Sequence, residues 1–179
     1  ETNQAIVHVS ERKALFETVC RIAVDRGGFA LAWVGMLDAV SGDIVPAAWT
    51  GIGTERFSDV APFNVRRHRT PVEIALAEDR IYLSNELAND PALVTIREPL
   101  RQIGLHSAMS CPLRIRGNVV GALSLFAAEA NFFDAALTGL VTEMADDVSF
   151  ALENFEKEAQ RKQAEESLRL SEEACRLSN

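Results

Sequence analysis

The chain has 179 residues, a net charge of −8, 47% apolar and 25% charged side chains, which is the balance of a soluble globular protein with room for one ordinary domain and an appendage. The acidic balance argues against broad binding to nucleic acid or an anionic membrane. No apolar run reaches the roughly 18 residues of a membrane span, and the N-terminus lacks a signal-peptide pattern. Three widely spaced cysteines, Cys20, Cys111 and Cys175, offer neither a disulfide framework nor a CxxC metal site; they read as free thiols of a cytoplasmic protein. A start at Glu1-Thr2-Asn3, without methionine, reads as a piece of a longer protein.

Residues 4–24 predict a helix, with Leu15, Val19 and Ile22 spaced by four and three and joined by Phe16, Cys20 and Ala23, and Gly27-Gly28 ends it. Residues 29–37 are wholly apolar and predict a strand buried on both faces; Ser41-Gly42 turns the chain into a second strand over 44–50. Pro46 there fits an edge position or a bulge. Residues 51–70 hold no period and read as a long irregular connection with one short strand near 63–65. Pro71 opens a short helix over 71–78, where its missing donor costs nothing, and 81–83 are a brief strand. Asp90 caps the next helix with Pro91 at its first position, and Pro99 kinks or breaks it before Gly104.

Residues 107–126 form the central hairpin. Arg116-Gly117-Asn118 is its turn, glycine and asparagine being the residues that tolerate positive φ. Cys111, Leu113 and Ile115 point one way, Ser110, Arg114 and Arg116 the other. Val119, Leu123 and Leu125 share one face of the second strand and Val120, Ala122 and Phe126 the opposite one. A strand apolar on both sides is covered on both sides. Asp134 then caps a last helix with a heptad seam at Leu137, Val141, Met144, Val148, Ala151 and Phe155. Beyond Phe155 the composition turns charged, and Ala164, Leu168, Ser171 and Cys175 continue a thin seam in a shifted register, which places a stutter near 156–163. Such a helix wants an identical partner, and a parallel pair would bring two Cys175 thiols together.

Mostly antiparallel strands with helices before and after make an α+β fold. The first and last helices cover one face, and the middle segment covers the other, a natural place for a cavity. Residues 15–23, Ala32-Trp-Val-Gly35, Gly104-Leu-His-Ser-Ala-Met-Ser-Cys-Pro-Leu113, Gly121-Ala-Leu-Ser-Leu125 and Phe132-Phe-Asp134 resemble a bacterial GAF domain, of the subtype found in multidomain signalling proteins beside PAS modules, histidine kinases and cyclic-di-GMP enzymes. The resemblance covers roughly 11–155, and the tail from Arg161 to Glu173 resembles the linker that precedes a PAS domain. It implies a central antiparallel sheet of five or six strands, the terminal helices on one face, short helices and loops over a small-molecule pocket on the other, and a homodimer formed through the terminal helices. The organisation expected is a sensory domain over 1–155, with 1–10 as the end of an upstream linker helix, and a coiled-coil linker over 156–179 leading to a downstream module. Where the family often carries glycines the chain has Arg69-Thr-Pro-Val-Glu-Ile-Ala75; the Asn-Lys-Phe-Asp-Glu signature of cyclic-nucleotide binders is absent, and no cysteine stands in a bilin-attachment context.

The candidate ligand-binding residues are Trp49, Phe63, Arg66, Arg67, Thr70, Ile96, Ser107 and Met109. Trp33 and Trp49 are core residues by default, or for Trp49 the wall of a pocket for a planar ligand. The run Arg66-Arg67-His68-Arg69 is a solvated loop or the mouth of a site for an anion. His8, His68 and His106 lack a second ligand at metal-binding spacing, and Asp146-Asp147 points in two directions; no metal and no catalytic residue is expected. The expected function is a non-catalytic sensory domain that passes a ligand signal through paired helices to an output module. A ligand-free dimerisation spacer is the alternative, then a haem sensor held by one histidine, then a free methionine sulfoxide reductase, which would need converging cysteines.

Overall fold

The structure, a computed structural model, describes residues 2–53 and 69–177, with side chains from residue 9 onward. Helix α1 (Thr2–Gly27) leads into strands β1 (Leu31–Leu37) and β2 (Ile44–Gly51); helix α2 (Pro71–Ala77) and strand β3 (Tyr82–Ser84) follow. A 3₁₀ turn (Pro91–Leu93) and helix α3 (Arg97–Gln102) precede strands β4 (Ser107–Ile115) and β5 (Asn118–Ala127), and helix α4 (Ala135–Leu177) closes the described chain. The five strands pair antiparallel in the order β2-β1-β5-β4-β3. The expected strand near 63–65 lies outside the described residues.

The sheet separates two cores. On one face Phe16, Cys20 and Ala23 of α1 and Val141, Ala145, Val148 and Leu152 of α4 pack on Val34, Met109, Cys111, Leu113, Leu123 and Leu125. On the other, Val72, Ile74 and Ala75 of α2, with Leu87, Leu93 and Leu105, pack on Leu31, Trp33, Ala108, Ala122 and Phe126. Strand alternation sends neighbours such as Ala122 and Leu123 to opposite cores, as a sheet covered on both faces requires. The inward stripes differ from the expected ones by about one helical position. In α1 the buried line is Phe16, Cys20 and Ala23, while Ile22 is 50% exposed. In α4 it runs through Ala145 and Leu152, with Leu137, Met144 and Phe155 on its flank. A heptad drifts around a straight helix, whereas a stripe packed on a sheet follows the 3.6-residue turn.

Three local expectations are corrected. The break in the 91–102 helix precedes Pro99: the 3₁₀ turn ends at Leu93, and Pro99 sits in the first turn of α3, where proline is tolerated. The hairpin turn is Arg116-Gly117, both at positive φ (52° and 78°), and Asn118 already belongs to β5. Third, Val120 packs with the helix-side core rather than beside Ala122. Leu113 pairs with Gly121 but Arg114 with Val119, so Val120 is the extra residue of a β-bulge, and alternation is interrupted there. The Pro46 expectation holds: β2 is an edge strand, and its register with β1 shifts opposite Val34/Gly35.

Candidate functional site

The face under α2 carries one continuous cross-strand row. Trp49 of β2 opposes Trp33 of β1, Trp33 opposes Ser124 of β5, Ser124 opposes Ser110 of β4, and Ser110 opposes Tyr82 of β3. Directly opposed residues of an antiparallel pair share a face, so two indoles, two hydroxyls and a phenol line up across all five strands. Trp33 and Tyr82 are buried, Ser110 and Ser124 are fully buried, and Trp49 at the sheet edge is 36% exposed. The two serine hydroxyls bond each other at 2.8 Å. Truncating either one strands its partner in the core, at a cost of about 1–3 kcal/mol. Denaturant melts of Ser110→Ala, Ser124→Ala and the double variant check this; the double variant is expected to lose less than the sum of the singles.

At the β3 end the phenol of Tyr82 donates to Asp90. Asp90 also accepts from the N–H of Ala92 at 2.9 Å, which caps the 3₁₀ turn, while Arg97 Nε donates to the Asp90 carbonyl at 3.0 Å. Burial alone would raise the Asp90 pKa, but the bonds from Tyr82, Ser84 and Ala92 and the charge of Arg97 hold it below the ordinary carboxylate value. A lowered carboxylate pKa stabilises the fold at neutral pH, and that contribution is lost as pH falls through the folded value. Above the row, α2 begins with a capping box: Thr70 N–H donates to Glu73 Oε2 at 2.6 Å, and Glu73 N–H donates to Thr70 Oγ1 at 3.3 Å. This places the nearly buried Glu73 (8% exposed) on the helix that packs over β3, β4 and β5.

Of the candidate residues, Trp49 lies on this face by its pairing with Trp33. Thr70 is the N-cap of α2, and Ile96 precedes α3 and packs against the α2-side core. Phe63, Arg66 and Arg67 lie outside the described residues. Ser107 and Met109 stand on the other side of the sheet. Met109 is fully buried among the α1 and α4 side chains, and Ser107, on the same side of β4 by alternation, donates to the carbonyl of Glu129 at 2.8 Å. Ser110 and Cys111 point to opposite sides of β4, and the same alternation places Ser107 and Met109 with Cys111. What no single strand reveals is the register that puts Ser110, Ser124, Trp33 and Tyr82 in one line.

The thiols do not converge. Cys20 and Cys111 are buried on the helix-covered face and Cys175 is exposed on the distal part of α4. Burial pushes the Cys20 thiol up to about 12, against a weaker opposing bond at Val34; burial and the charge of Asp146 push Cys111 up to about 12. Neither is a nucleophile near neutral pH. Among the described residues, no group of three His, Cys, Asp or Glu side chains is placed to hold a metal ion, and no helix is long and apolar enough to cross a membrane.

A family model described as GAF domain matches residues 9–153. No curated protein matches the sequence. Among solved structures, a GAF domain region from Geobacter sulfurreducens PCA superposes with a TM-score of 0.71 at 16% identity, covering 84% of this chain and 98% of that one. A type II free methionine-R-sulfoxide reductase from Thermoplasma acidophilum gives 0.66 at 13% identity, covering 83% and 96%. A GAF domain/HD domain protein from Geobacter sulfurreducens gives 0.66 at 14% identity, covering 83% and 95%. At these identities the likeness is one of fold.

Proposed function

The chain belongs to the GAF domain family, and from that membership we propose that it is a non-catalytic sensory module. A small molecule binds on the α2-covered face, and the terminal helices on the opposite face carry the response to an output module such as a histidine kinase or a cyclic-di-GMP enzyme. The observation that carries this reading is the division of the sheet: an aromatic and hydroxyl-bearing row under α2 on one side, α1 and α4 together on the other. Aromatic walls with a few convergent polar groups are the usual make-up of a small-molecule site. In this reading the domain spans 1–155 and the linker covers 156–179, the part up to Leu177 continuing the same unbroken helix α4. The protein works as a cytoplasmic homodimer; Leu140 and Phe150 on α4, with Ile22 on α1, are 62%, 67% and 50% exposed and offer apolar surface for a second copy. A ligand that binds one helix arrangement tenfold better than the other biases the pair by about 1.4 kcal/mol.

A reductase of the kind that shares this fold is disfavoured because the two domain thiols face α1 and α4 rather than the α2 side. The test is native mass spectrometry and an absorption spectrum of protein purified without added ligand. The sensory reading expects a dimer with a copurified small molecule. Bare protein favours the spacer, and a Soret band favours haem. Mild oxidation should also link the dimer through Cys175; protein that stays monomeric on a non-reducing gel contradicts a parallel pair.

A further inference from the structure

We propose that the bulged tip of the β4–β5 hairpin, through Arg114 and Arg116, couples the α2 side of the sheet to the stretch of α4 that leaves the domain. This rests on the reading of α4 as the output element. Arg114 contacts both sides of the sheet. Its guanidinium donates to Asp79 Oδ1 at 2.5 Å and to the Asp79 carbonyl at 3.2 Å, in the turn that follows α2. Its backbone N–H donates to Ser149 Oγ of α4 at 3.0 Å, and that hydroxyl donates to the Ala145 carbonyl at 2.9 Å. Two residues on, the Arg116 N–H reaches Glu153 Oε2 at 3.4 Å and the Arg116 guanidinium donates to Gln160 Oε1 at 2.7 Å. Gln160 lies in the 156–163 stretch where the apolar seam changes register.

The backbone at both ends of this link is costly. Among the described residues three non-glycine residues have positive φ, and two of them are Asp79 (47°) and Arg116 (52°). A non-glycine residue in this region persists only where its surroundings enforce it. A two-residue hairpin normally takes asparagine, aspartate or glycine at the Arg116 position. Here the long cation is held there by its bonds to α4. Between the two lies the bulge at Val120, where strand pairing is already interrupted. A shift of α2 that pulls on Asp79 therefore acts on Arg114 where its N–H holds Ser149 and the β4–β5 pairing is interrupted.

Hydrogen–deuterium exchange of the whole 1–179 chain tests this without any ligand. Asp79→Asn keeps a residue that tolerates positive φ and removes the ion pair. The expected result is a roughly two- to fivefold faster exchange of α4 amides over 149–160, the range set by an exposed pair. Ser149→Ala should speed exchange over 77–81 in return, since coupling is reciprocal. Glu98→Gln removes another exposed ion pair, Glu98–Arg101, and should leave 149–160 unchanged. Wild-type exchange over 149–160 in Asp79→Asn overturns the proposal, as does an equal rise in Glu98→Gln. Such a failure leaves the sensory reading standing, and bare protein in the native-mass test would fail that reading without touching the coupling.

Discussion

Leu152→Ala is expected to cost about 3 kcal/mol, lowering Tm by roughly 6–12 °C for a domain of this size. Leu152 is fully buried on the sheet-facing side of α4, in the same core as Cys111, Leu113 and Leu123, so its removal leaves a cavity that a two-sided sheet cannot close. Leu170, on the same helix but off the 164–168–171–175 seam, is 54% exposed, and Leu170→Ala should leave the unfolding midpoint of the domain within about 0.5 kcal/mol of wild type. The contrast marks where α4 stops being core and becomes linker. Thermal and denaturant melts of both variants measure it, and equal losses would mean that the boundary lies beyond residue 170.

Gly51→Ala is expected to be as damaging for a different reason. Gly51 ends β2 at φ +120°, and a Cβ there would stand 2.2 Å from the Ala30 carbonyl oxygen and 2.8 Å from Leu31 Cα. Both obstacles are backbone and cannot swing aside; the Ala30 carbonyl is also fixed by accepting from Ile52 N–H at 2.9 Å. Strain and overpacking together come to roughly 3–5 kcal/mol. Gly139 in α4 is the counter-case: a Cβ there meets nothing within 4 Å, and Gly139→Ala should stabilise by about 0.5–1 kcal/mol. A chemical-denaturation series on the two variants checks both signs.

Much of the architecture was legible because apolar residues on both sides of 119–126 demand two covers, and only the terminal helices and the middle segment were available to supply them. The caps at Asp90 and Asp134 and the proline that opens α2 at Pro71 were equally readable, since helix starts are local chemistry; Asp134 accepts from the Leu137 N–H at 2.8 Å. What failed was anything set by register. Val120 was placed by strict alternation, which a one-residue bulge defeats. The inward stripe of α4 was read as a heptad seam, although the domain end of that helix packs on a sheet. The site was the least legible part: Ser107 and Met109 stand on the side of the sheet away from α2, and the row from Trp49 to Tyr82 needs four strand pairings that no single segment encodes.

Both tryptophans of the chain, Trp33 and Trp49, stand on the α2-covered face, so tryptophan emission reports on that face alone. The most direct measurement is to release the small-molecule fraction from purified protein, return it to refolded protein, and follow that emission in wild type and Trp49→Phe. Binding under α2 predicts a saturable change in wild type that is reduced or altered in Trp49→Phe. A purified chain that releases nothing, or a fraction that binds without moving tryptophan emission in either protein, would contradict the assignment of sensing to this side of the sheet.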